Sequence, residues 1–193
     1  MIKVGLTGGI GTGKTMVSRI FSELQVPVFY GDPEAKKPYA DAAVLEKVKK
    51  SFGEEVFENG AVSYKKLAQI VFNDQAKLEE LNSIIHPFLF SNFNKWTEEQ
   101  KNAPYVIMEA AILYESSFYQ MFDKIITVSA PEELCIERVT KRDGTGREEV
   151  LNRMRNQLPD NFKTTKADFV IINDGVAMLL PQVLDVHRKL LNL

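Results

Sequence analysis

The chain has 193 residues, of which 45% are hydrophobic and 26% are charged, and its formal net charge is −2. This length and composition predict one globular domain with a hydrophobic core and room for an inserted subdomain. The near-neutral charge argues against a surface that coats nucleic acid. Cys135 is the only cysteine, which excludes a disulfide framework and favours a reducing compartment, so we predict a cytoplasmic protein. The apolar run at the amino terminus ends at Gly8, too early for a signal core or a membrane span.

The first predicted element is a strand over Ile2–Thr7, whose sequence IKVGLT is typical of a strand buried on both faces of a parallel sheet. A helix follows it, because apolar residues then recur at the spacing i, i+3, i+4 and i+7. These residues are Val17, Ile20, Phe21 and Leu24. A glycine-rich loop joins the strand to the helix.

This loop, GGIGTGKT over residues 8–15, matches the pattern G-x-x-x-x-G-K-[ST] at every specified position. Glycines let the backbone approach an anion closely, and the amino end of the helix adds positive potential. We predict that Lys14 contacts the β- and γ-phosphates of ATP and that the Thr15 hydroxyl coordinates Mg²⁺. The predicted nucleotide-binding residues of the loop and the helix start are Gly9, Gly11, Thr12, Gly13, Lys14, Thr15 and Met16.

Four further apolar runs, each bounded by polar or chain-breaking residues, predict strands. They are Val26–Tyr30, Tyr105–Glu109, Lys124–Ser129 and Phe169–Asn173. Helical patterns separate them, so the chain is predicted to be an α/β protein with a five-stranded parallel sheet. In such a sheet, ligands bind beyond the carboxyl ends of the strands.

Two acidic residues follow or end predicted strands at that edge. Asp32 comes just after the second strand, where a carboxylate can accept the proton of a hydroxyl that attacks a phosphate. The alternative is that Asp32 caps a helix whose first residue is Pro33. Glu109 ends the third strand and is predicted to hold Mg²⁺ or a water bound to it, and the alternative is a strand-terminal acid without a special role.

A basic segment over residues 137–157 is predicted to form a lid. Arg138 and Arg142 are four residues apart on one helix face, and Gly144 and Gly146 form a flexible break after them. Such a lid brings guanidinium groups to a phosphoryl group and excludes water. The alternative is a pair of solvated charged helices in which the arginines pair with neighbouring glutamates.

Two short matches favour a GTP-binding switch as a further alternative. The sequence DGTG (Asp143–Gly146) matches D-x-x-G, and TKAD (Thr165–Asp168) matches the guanine-reading pattern [NT]-K-x-D. Both aspartates of a switch should follow buried strands. Asp143 instead follows a predicted helix, and TKAD precedes a strand, so the switch is less favoured than a kinase.

Several segments together resemble the dephospho-CoA kinase family over nearly the whole chain. The opening GLTGGIGTGKT matches that of the family almost letter for letter. The other matches are Phe52–Asp74 (FGEEVFENGAVSYKKLAQIVFND), Ile84–Phe88 (IIHPF), Glu109–Glu115 (EAAILYE) and Ala167–Asn173 (ADFVIIN), together with Asp32, Arg138, Arg142 and Gln157. Tyr30 and Glu109 stand where the family has aspartates, so Asp32 alone inherits the role of base.

The resemblance implies a P-loop NTPase three-layer fold with a helical insertion and a lid. It divides the chain into a nucleotide-binding core over residues 1–32 and 101–193, which includes a lid at about 138–157, and a helical substrate-binding insertion over residues 33–100. The implied reaction is phosphorylation of the ribose 3′-hydroxyl of dephospho-CoA by ATP with Mg²⁺, the last step of coenzyme A synthesis. The alternative enzyme is another P-loop small-molecule or nucleoside monophosphate kinase.

The resemblance also carries roles onto single residues. The expected catalytic residues are Asp32, Lys14 and Arg142, and Arg142 and Asn173 are also expected to bind the nucleotide. Substrate contacts are expected from Asp32, His86, Glu109 and Arg138, and metal contacts from Thr15 and Glu109. His86 taken alone favours a structural role beside Pro87, and the match to the family's His-Pro pair is what favours substrate contact. The expected partner is dephospho-CoA, without nucleic acid or membrane, for a monomer or weak homo-oligomer.

Overall fold

The computed structural model describes residues 1–71, 74–116 and 118–193. Phe72 and Asn73, near the end of the segment that resembles the family, lie outside the described residues. The strands are β1 (Ile2–Thr7), β2 (Val28–Tyr30), β3 (Phe57–Glu58), β4 (Ala61–Val62), β5 (Tyr105–Glu109), β6 (Lys124–Ser129) and β7 (Phe169–Ile172). The α-helices are α1 (Lys14–Glu23), α2 (Gly31–Glu34), α3 (Ala42–Phe52), α4 (Tyr64–Val71), α5 (Gln75–Glu99), α6 (Glu132–Asp143), α7 (Arg147–Arg155), α8 (Asp160–Lys166) and α9 (Leu179–Leu191). Short 3₁₀ helices span Lys37–Ala40, Glu54–Val56 and Phe118–Met121.

The chain forms two compact units. The sheet unit comprises Met1–Tyr30 and Gln100–Leu193, and the helical unit comprises Gly31–Glu99. The boundaries predicted from the sequence lie slightly later, after residues 32 and 100. Asp32 therefore belongs to the helical unit in the structure and not, as predicted, to the nucleotide-binding core.

Five parallel strands form the sheet of the sheet unit in the order β2-β5-β1-β6-β7, which confirms the predicted α/β class. The central strand is β1, in which Leu6 lies beside Glu109 of β5 and Thr7 lies beside Thr127 of β6. Each pair of neighbouring strands is parallel, so the carboxyl ends of the strands share one edge of the sheet. The glycine-rich loop begins at this edge, directly after Thr7.

The bounds of β1, β5 and β6 agree with the prediction, and those of β2 and β7 differ from it. β2 begins at Val28 rather than at Val26. The N–H of Val26 donates to the oxygen of Phe21 at 3.1 Å, so Val26 still belongs to the turn that ends α1. β7 ends one residue early, although the N–H of Asn173 still donates to the oxygen of Ser129 at 2.8 Å.

The core of the sheet unit forms where α1 and α9 pack on the strands. Val17 and Phe21 of the predicted helical stripe are fully buried, and Ile20 and Leu24 are partly buried against the same cluster, which confirms the stripe. Fully burying one such side chain contributes about 1.5–3 kcal/mol to stability. This packing holds the start of α1, and with it the end of the glycine-rich loop, at the sheet edge.

The helical unit has its own core, formed by α3, α4, α5 and the residues between α3 and α4. Its buried members include Val44, Val48, Phe52, Val56, Leu67, Val71, Leu78, Ile84 and Ile85. Pro87 lies inside α5, which continues through it as one helix of 25 residues. Proline removes one backbone donor from this helix, and buried apolar residues lie on both sides of it. No helix within the described ranges is both long and apolar enough to span a bilayer.

Candidate nucleotide-binding site

The loop after β1 holds two of its glycines in the left-handed region of backbone space. The φ angles are +81° at Gly11 and +93° at Gly13. A Cβ atom on Gly11 would lie 2.8 Å from the Cα of Cys135 in α6, and one on Gly13 would overlap the side-chain amide of Asn173. Glycine is required at both positions, because the loop packs directly on α6 and on the segment after β7.

Protein donors hold the carbonyl oxygens of this loop. Lys14 Nζ donates to the oxygens of Gly8 and Gly9 at 2.9 and 3.2 Å, and Thr12 Oγ1 donates to the Gly9 oxygen at 2.9 Å. Asn173 Nδ2 donates to the oxygen of Thr12 at 2.7 Å. In a trans peptide the carbonyl and the next N–H point in opposite directions, so the bonds to the Gly8 and Thr12 oxygens turn the N–H groups of Gly9 and Gly13 away from the donors. N–H groups presented beside a helix amino end form an anion site.

Arg138 joins the loop to the segment after β7. Its guanidinium donates to the main-chain oxygen of Asn173 at 3.1 Å and to Asn173 Oδ1 at 3.2 Å, and its contact with the oxygen of Gly11 is 3.5 Å. The structure thus brings Arg138 together with two predicted nucleotide-binding residues. The contact between Arg138 and substrate that the sequence predicts stays a prediction.

Glu109 receives hydrogen bonds from two hydroxyls of α1. Thr15 Oγ1 donates to Oε1 at 3.2 Å, and Ser18 Oγ donates to Oε2 at 2.8 Å. Thr15 and Ser18 are three residues apart and share one helix face, and the end of β5 brings Glu109 to that face. Sequence reasoning missed Ser18, which is fully buried, because one serine in an amphipathic helix has no distinguishing pattern.

The donor set beside Lys14 fits Mg²⁺. Among the described residues, no three His, Cys, Asp or Glu side chains group together as a metal cage. Mg²⁺ bound with a nucleotide does not require one, because it takes one or two protein oxygens and completes its shell with phosphates and water. The hydroxyl of Thr15 and the carboxylate of Glu109 supply the hard oxygen ligands that this ion prefers.

The comparisons with known proteins agree with this geometry. A family model described as dephospho-CoA kinase matches residues 2–178. The chain belongs to the dephospho-CoA kinase family. It is 40% identical over 186 residues to a dephospho-CoA kinase of Bacteroides fragilis strain YCH46, in an alignment that covers 96% of this chain and 91% of the relative. The chain is therefore a kinase, a transferase of the nucleotide-binding P-loop class.

Solved structures support the fold of this dephospho-CoA kinase family member. The structure of TT1252 from Thermus thermophilus is 30% identical and superposes with a TM-score of 0.86 over 97% of this chain and 96% of that one. A dephospho-CoA kinase from Campylobacter jejuni has a TM-score of 0.66 over 98% and 97% of the two chains at 24% identity. The second likeness supports the fold alone.

The arginines of the predicted lid pair with carboxylates in this family member. Arg142 binds Asp143 through Nε at 2.7 Å and Nη2 at 3.0 Å, and Arg153 binds the same carboxylate at 2.9 Å. Hydrogen bonds and charge, first from Arg142 and then from Arg153, lower the pKa of Asp143 to about 2. α6 ends at Asp143 and α7 begins at Arg147, so the predicted glycine break lies between two helices. The solvated-helix alternative expects arginines to pair with neighbouring glutamates, which Arg153 does with Glu149, whereas Arg142 pairs with an aspartate. The lid hypothesis requires that a phosphoryl group replace Asp143 at Arg142.

The two aspartates that favoured a GTP switch have structural roles. Asp143 lies at the end of a helix rather than after a strand. Asp168 accepts the N–H of Ile125 at 2.8 Å and pairs with Lys124 at 2.9 Å, at the amino ends of β6 and β7. A guanine-reading side chain belongs at the opposite, carboxyl edge of the sheet. The geometry therefore argues against the switch and agrees with the kinase family.

Two predicted site residues lie in the helical unit. Asp32 lies inside the first turn of α2, which begins at Gly31, and not at the capping position before the helix. His86 lies in α5 with its ring edge-on to Phe90, at 6.0 Å between centroids. Burial lowers the pKa of His86 to about 4, so its imidazole is neutral at pH 7 and has one nitrogen that can donate and one that can accept a hydrogen bond.

Proposed function

We propose that this chain transfers the γ-phosphoryl group of ATP to the ribose 3′-hydroxyl of dephospho-CoA and releases coenzyme A and ADP. The observation that carries the proposal is the extent of the family likeness. The alignment with the Bacteroides fragilis kinase covers 96% of this chain, and the family model extends over residues 2–178, which include the glycine-rich loop and the whole helical unit. A P-loop protein with a different acceptor would share the loop without such a likeness over the helical unit.

In the proposal, the glycine-rich loop and Lys14 hold the ATP phosphates. Thr15 and Glu109 hold Mg²⁺, which when bound supplies positive charge to the β- and γ-phosphate oxygens. Two further residues contact the nucleotide in this proposal. They are Met16, which follows Thr15 at the start of α1, and Asn173, whose side chain donates a hydrogen bond to the loop. The support for this arrangement is the set of hydrogen bonds that orients the loop carbonyls and the Glu109 carboxylate.

The proposed transfer moves one phosphoryl group and one proton. The 3′-oxygen of the ribose forms a bond to the γ-phosphorus while the bond from that phosphorus to the bridging oxygen of ADP breaks. Asp32 orients the hydroxyl and accepts its proton. Lys14 and Arg142 stabilise the charge on the transferring group, and Arg138 braces the loop and contacts the bound ligands. His86, neutral at pH 7, contributes a hydrogen bond to the substrate rather than an ion pair.

In this proposal each of the two units binds one of the two substrates. The sheet unit binds ATP, with residues at about 138–157 as its lid, and the helical unit binds dephospho-CoA. A cytoplasmic location and a monomer or weak homo-oligomer, without a nucleic-acid partner, complete the proposal and agree with the composition of the chain.

A coupled assay of ADP release tests the proposal. Dephospho-CoA, AMP, CMP and shikimate are compared as acceptors, and ATP is compared with GTP as donor, with mass spectrometry to identify coenzyme A. We expect dephospho-CoA to exceed each other acceptor in kcat/KM by about 100-fold or more, since a site that hydrogen-bonds its substrate rejects analogues that leave those groups unpaired. Equal or better turnover of AMP or CMP would favour the nucleoside monophosphate kinase alternative.

A further inference from the structure

The peptide between Gly9 and Ile10 is held from both sides. Its carbonyl accepts hydrogen bonds from Thr12 Oγ1 at 2.9 Å and Lys14 Nζ at 3.2 Å. Its N–H donates to Oε1 of Gln157 at 2.8 Å, a contact that spans 147 residues of sequence. The orientation of this peptide decides whether its oxygen faces Lys14. Gln157 accepts the hydrogen bond from the N–H of this peptide and so fixes the side opposite to the carbonyl.

Gln157 lies in the connector over residues 156–159, which links α7 to α8. The next residue, Leu158, donates its N–H to Oε1 of Glu115 at 2.9 Å, and the same oxygen pairs with Lys163 Nζ at 2.8 Å. The side chains of Lys163 and Glu115 are 0% and 9% exposed. A buried charge that loses its partner is costly, so Lys163 holds Glu115 in place, and Glu115 in turn accepts a hydrogen bond from the connector at Leu158.

Packing against neighbouring residues does not by itself fix the conformation of the Gln157 side chain. A cavity of about 320 Å³ lies beside it, lined by Gly9, Ile10, Met154 and Pro159 among others. A flexible side chain next to such a space has room for other rotamers. The hydrogen bond to Ile10 is therefore what keeps the carboxamide against the loop.

We propose that Gln157 is a positioning residue for ATP binding, which orients the Gly9–Ile10 peptide and ties the glycine-rich loop to the connector at the end of the lid. This inference deepens the proposed function and rests on ATP binding at the loop. When Lys14 turns to a phosphate, the Gly9 oxygen loses one donor and keeps the hydroxyl and the N–H of Thr12, at 2.9 and 3.3 Å. Thr12 and Gln157 then hold the peptide in place, so that the loop keeps the shape that presents its N–H groups.

The test compares Gln157→Leu, which keeps the size but removes the acceptor, with Gln157→Glu, which keeps an oxygen at the same reach. The full-length protein is used for ATP and dephospho-CoA binding by calorimetry and for amide exchange at Ile10 by NMR. We expect Gln157→Leu to weaken ATP binding about five- to tenfold, the range of one neutral hydrogen bond. Exchange at Ile10 should accelerate in this variant and stay slow in Gln157→Glu, while dephospho-CoA affinity changes less than about twofold.

Asp123→Ala is the matched control. Asp123 accepts the N–H of Lys3 at 2.7 Å, so the variant also removes a long-range side-chain acceptor from a backbone donor, but at the opposite end of β1. It should lower the melting temperature and leave ATP affinity unchanged. The inference fails if Gln157→Leu binds ATP like the wild type, if its Ile10 amide stays protected, or if Asp123→Ala weakens ATP binding equally. Wild-type protein that binds ATP but does not phosphorylate dephospho-CoA would contradict the proposed function and leave the role of Gln157 standing.

Discussion

The buried hydroxyl of Ser18 donates a hydrogen bond of 2.8 Å to Oε2 of Glu109, from one turn into α1 to the last residue of β5. Thr15 Oγ1 donates a hydrogen bond of 3.2 Å to the other carboxylate oxygen, Oε1. The carboxylate is thus held at both oxygens, with Oε1 kept beside the hydroxyl predicted to bind Mg²⁺. A glutamate has one more rotatable bond than an aspartate, and Ser18 removes the freedom that this bond adds.

For Ser18→Ala, we expect a rise of severalfold in the Mg²⁺ concentration that gives half-maximal activity, because Glu109 loses the bond that orients it. Stability should fall by about 1 kcal/mol for the lost hydrogen bond. Ser22→Ala is the control, since Ser22 lies one turn further along α1 and donates to the oxygen of Ser18 instead of to Glu109. Calorimetry of ADP binding with and without Mg²⁺ separates metal binding from turnover. An unchanged Mg²⁺ dependence in Ser18→Ala would remove Ser18 from the metal site.

For Lys14→Ala, we expect an intact fold and a loss of kcat of about 10²–10³-fold, as for removal of one preorganised donor. In the structure Lys14 is half-buried and its Nζ donates to the loop oxygens of Gly8 and Gly9, so we expect only a small change in melting temperature. Steady-state kinetics at saturating ATP measure the effect. Lys189→Ala, which removes an exposed lysine from α9, is the charge-matched control. Near-normal turnover in Lys14→Ala would contradict the assigned role.

For Arg142→Lys, we expect reduced turnover although the charge is kept. The Arg142 guanidinium already grips both oxygens of Asp143, and a phosphoryl group in its place would be held by the same two-point geometry. An ammonium group is a point charge and loses the second contact. The comparison is made with Arg188→Lys on α9 under the same assay. If Arg142→Lys and the wild type turn over equally, the solvated-helix alternative describes the segment.

For Asp32→Asn, we expect turnover to fall by about 10²-fold or more with little change in ATP affinity, since general-base catalysis contributes about 10²–10⁴-fold. The amide keeps the shape of the carboxylate but accepts no proton. Glu34→Gln is the control, because Glu34 lies in the same short helix and pairs with Lys37. Single-turnover rates and thermal melts on one preparation distinguish the roles. Normal turnover with a lowered melting point would indicate a structural role, and Glu109 would become the next candidate for the base.

For His86, we expect a stability that depends on pH in a defined direction. Burial lowers the pKa of His86 in the folded protein to about 4, below its unfolded value near 6.5. Between these two pKa values the unfolded chain binds more protons at this histidine than the folded protein does, so a lower pH favours unfolding. The contribution of His86 therefore leaves the free energy of unfolding at its full value above pH 6.5 and lowers it as the pH falls towards 4. Urea unfolding between pH 5 and 7 should show the slope, and His86→Phe should flatten it. An NMR titration in which His86 has a pKa near 6.5 would contradict the expectation.

Local patterns were sufficient for much of this protein. The spacing of glycine, lysine and threonine in residues 8–15 indicated the loop, because the contacts that such a loop makes with phosphate come from its own backbone and from neighbours in sequence. The bounds of β1, β5 and β6 followed from apolar runs. These features depend on interactions within a few residues, and sequence carries that information directly.

Only the tertiary structure decided which distant side chains complete the site. Three hydrogen bonds show this: Ile10 donates to Gln157, Arg138 donates to Asn173, and Ser18 donates to Glu109. The partners lie 147, 35 and 91 positions apart in the sequence. No periodicity links such pairs, because each depends on the register of the strands and on the packing of α1, α6 and the connector against the sheet edge. The residue at which β2 begins is likewise decided by a hydrogen bond and not by composition, here between residues close in sequence. Val26 has the composition of a strand, but its N–H bonds back to Phe21 and ends the preceding helix instead.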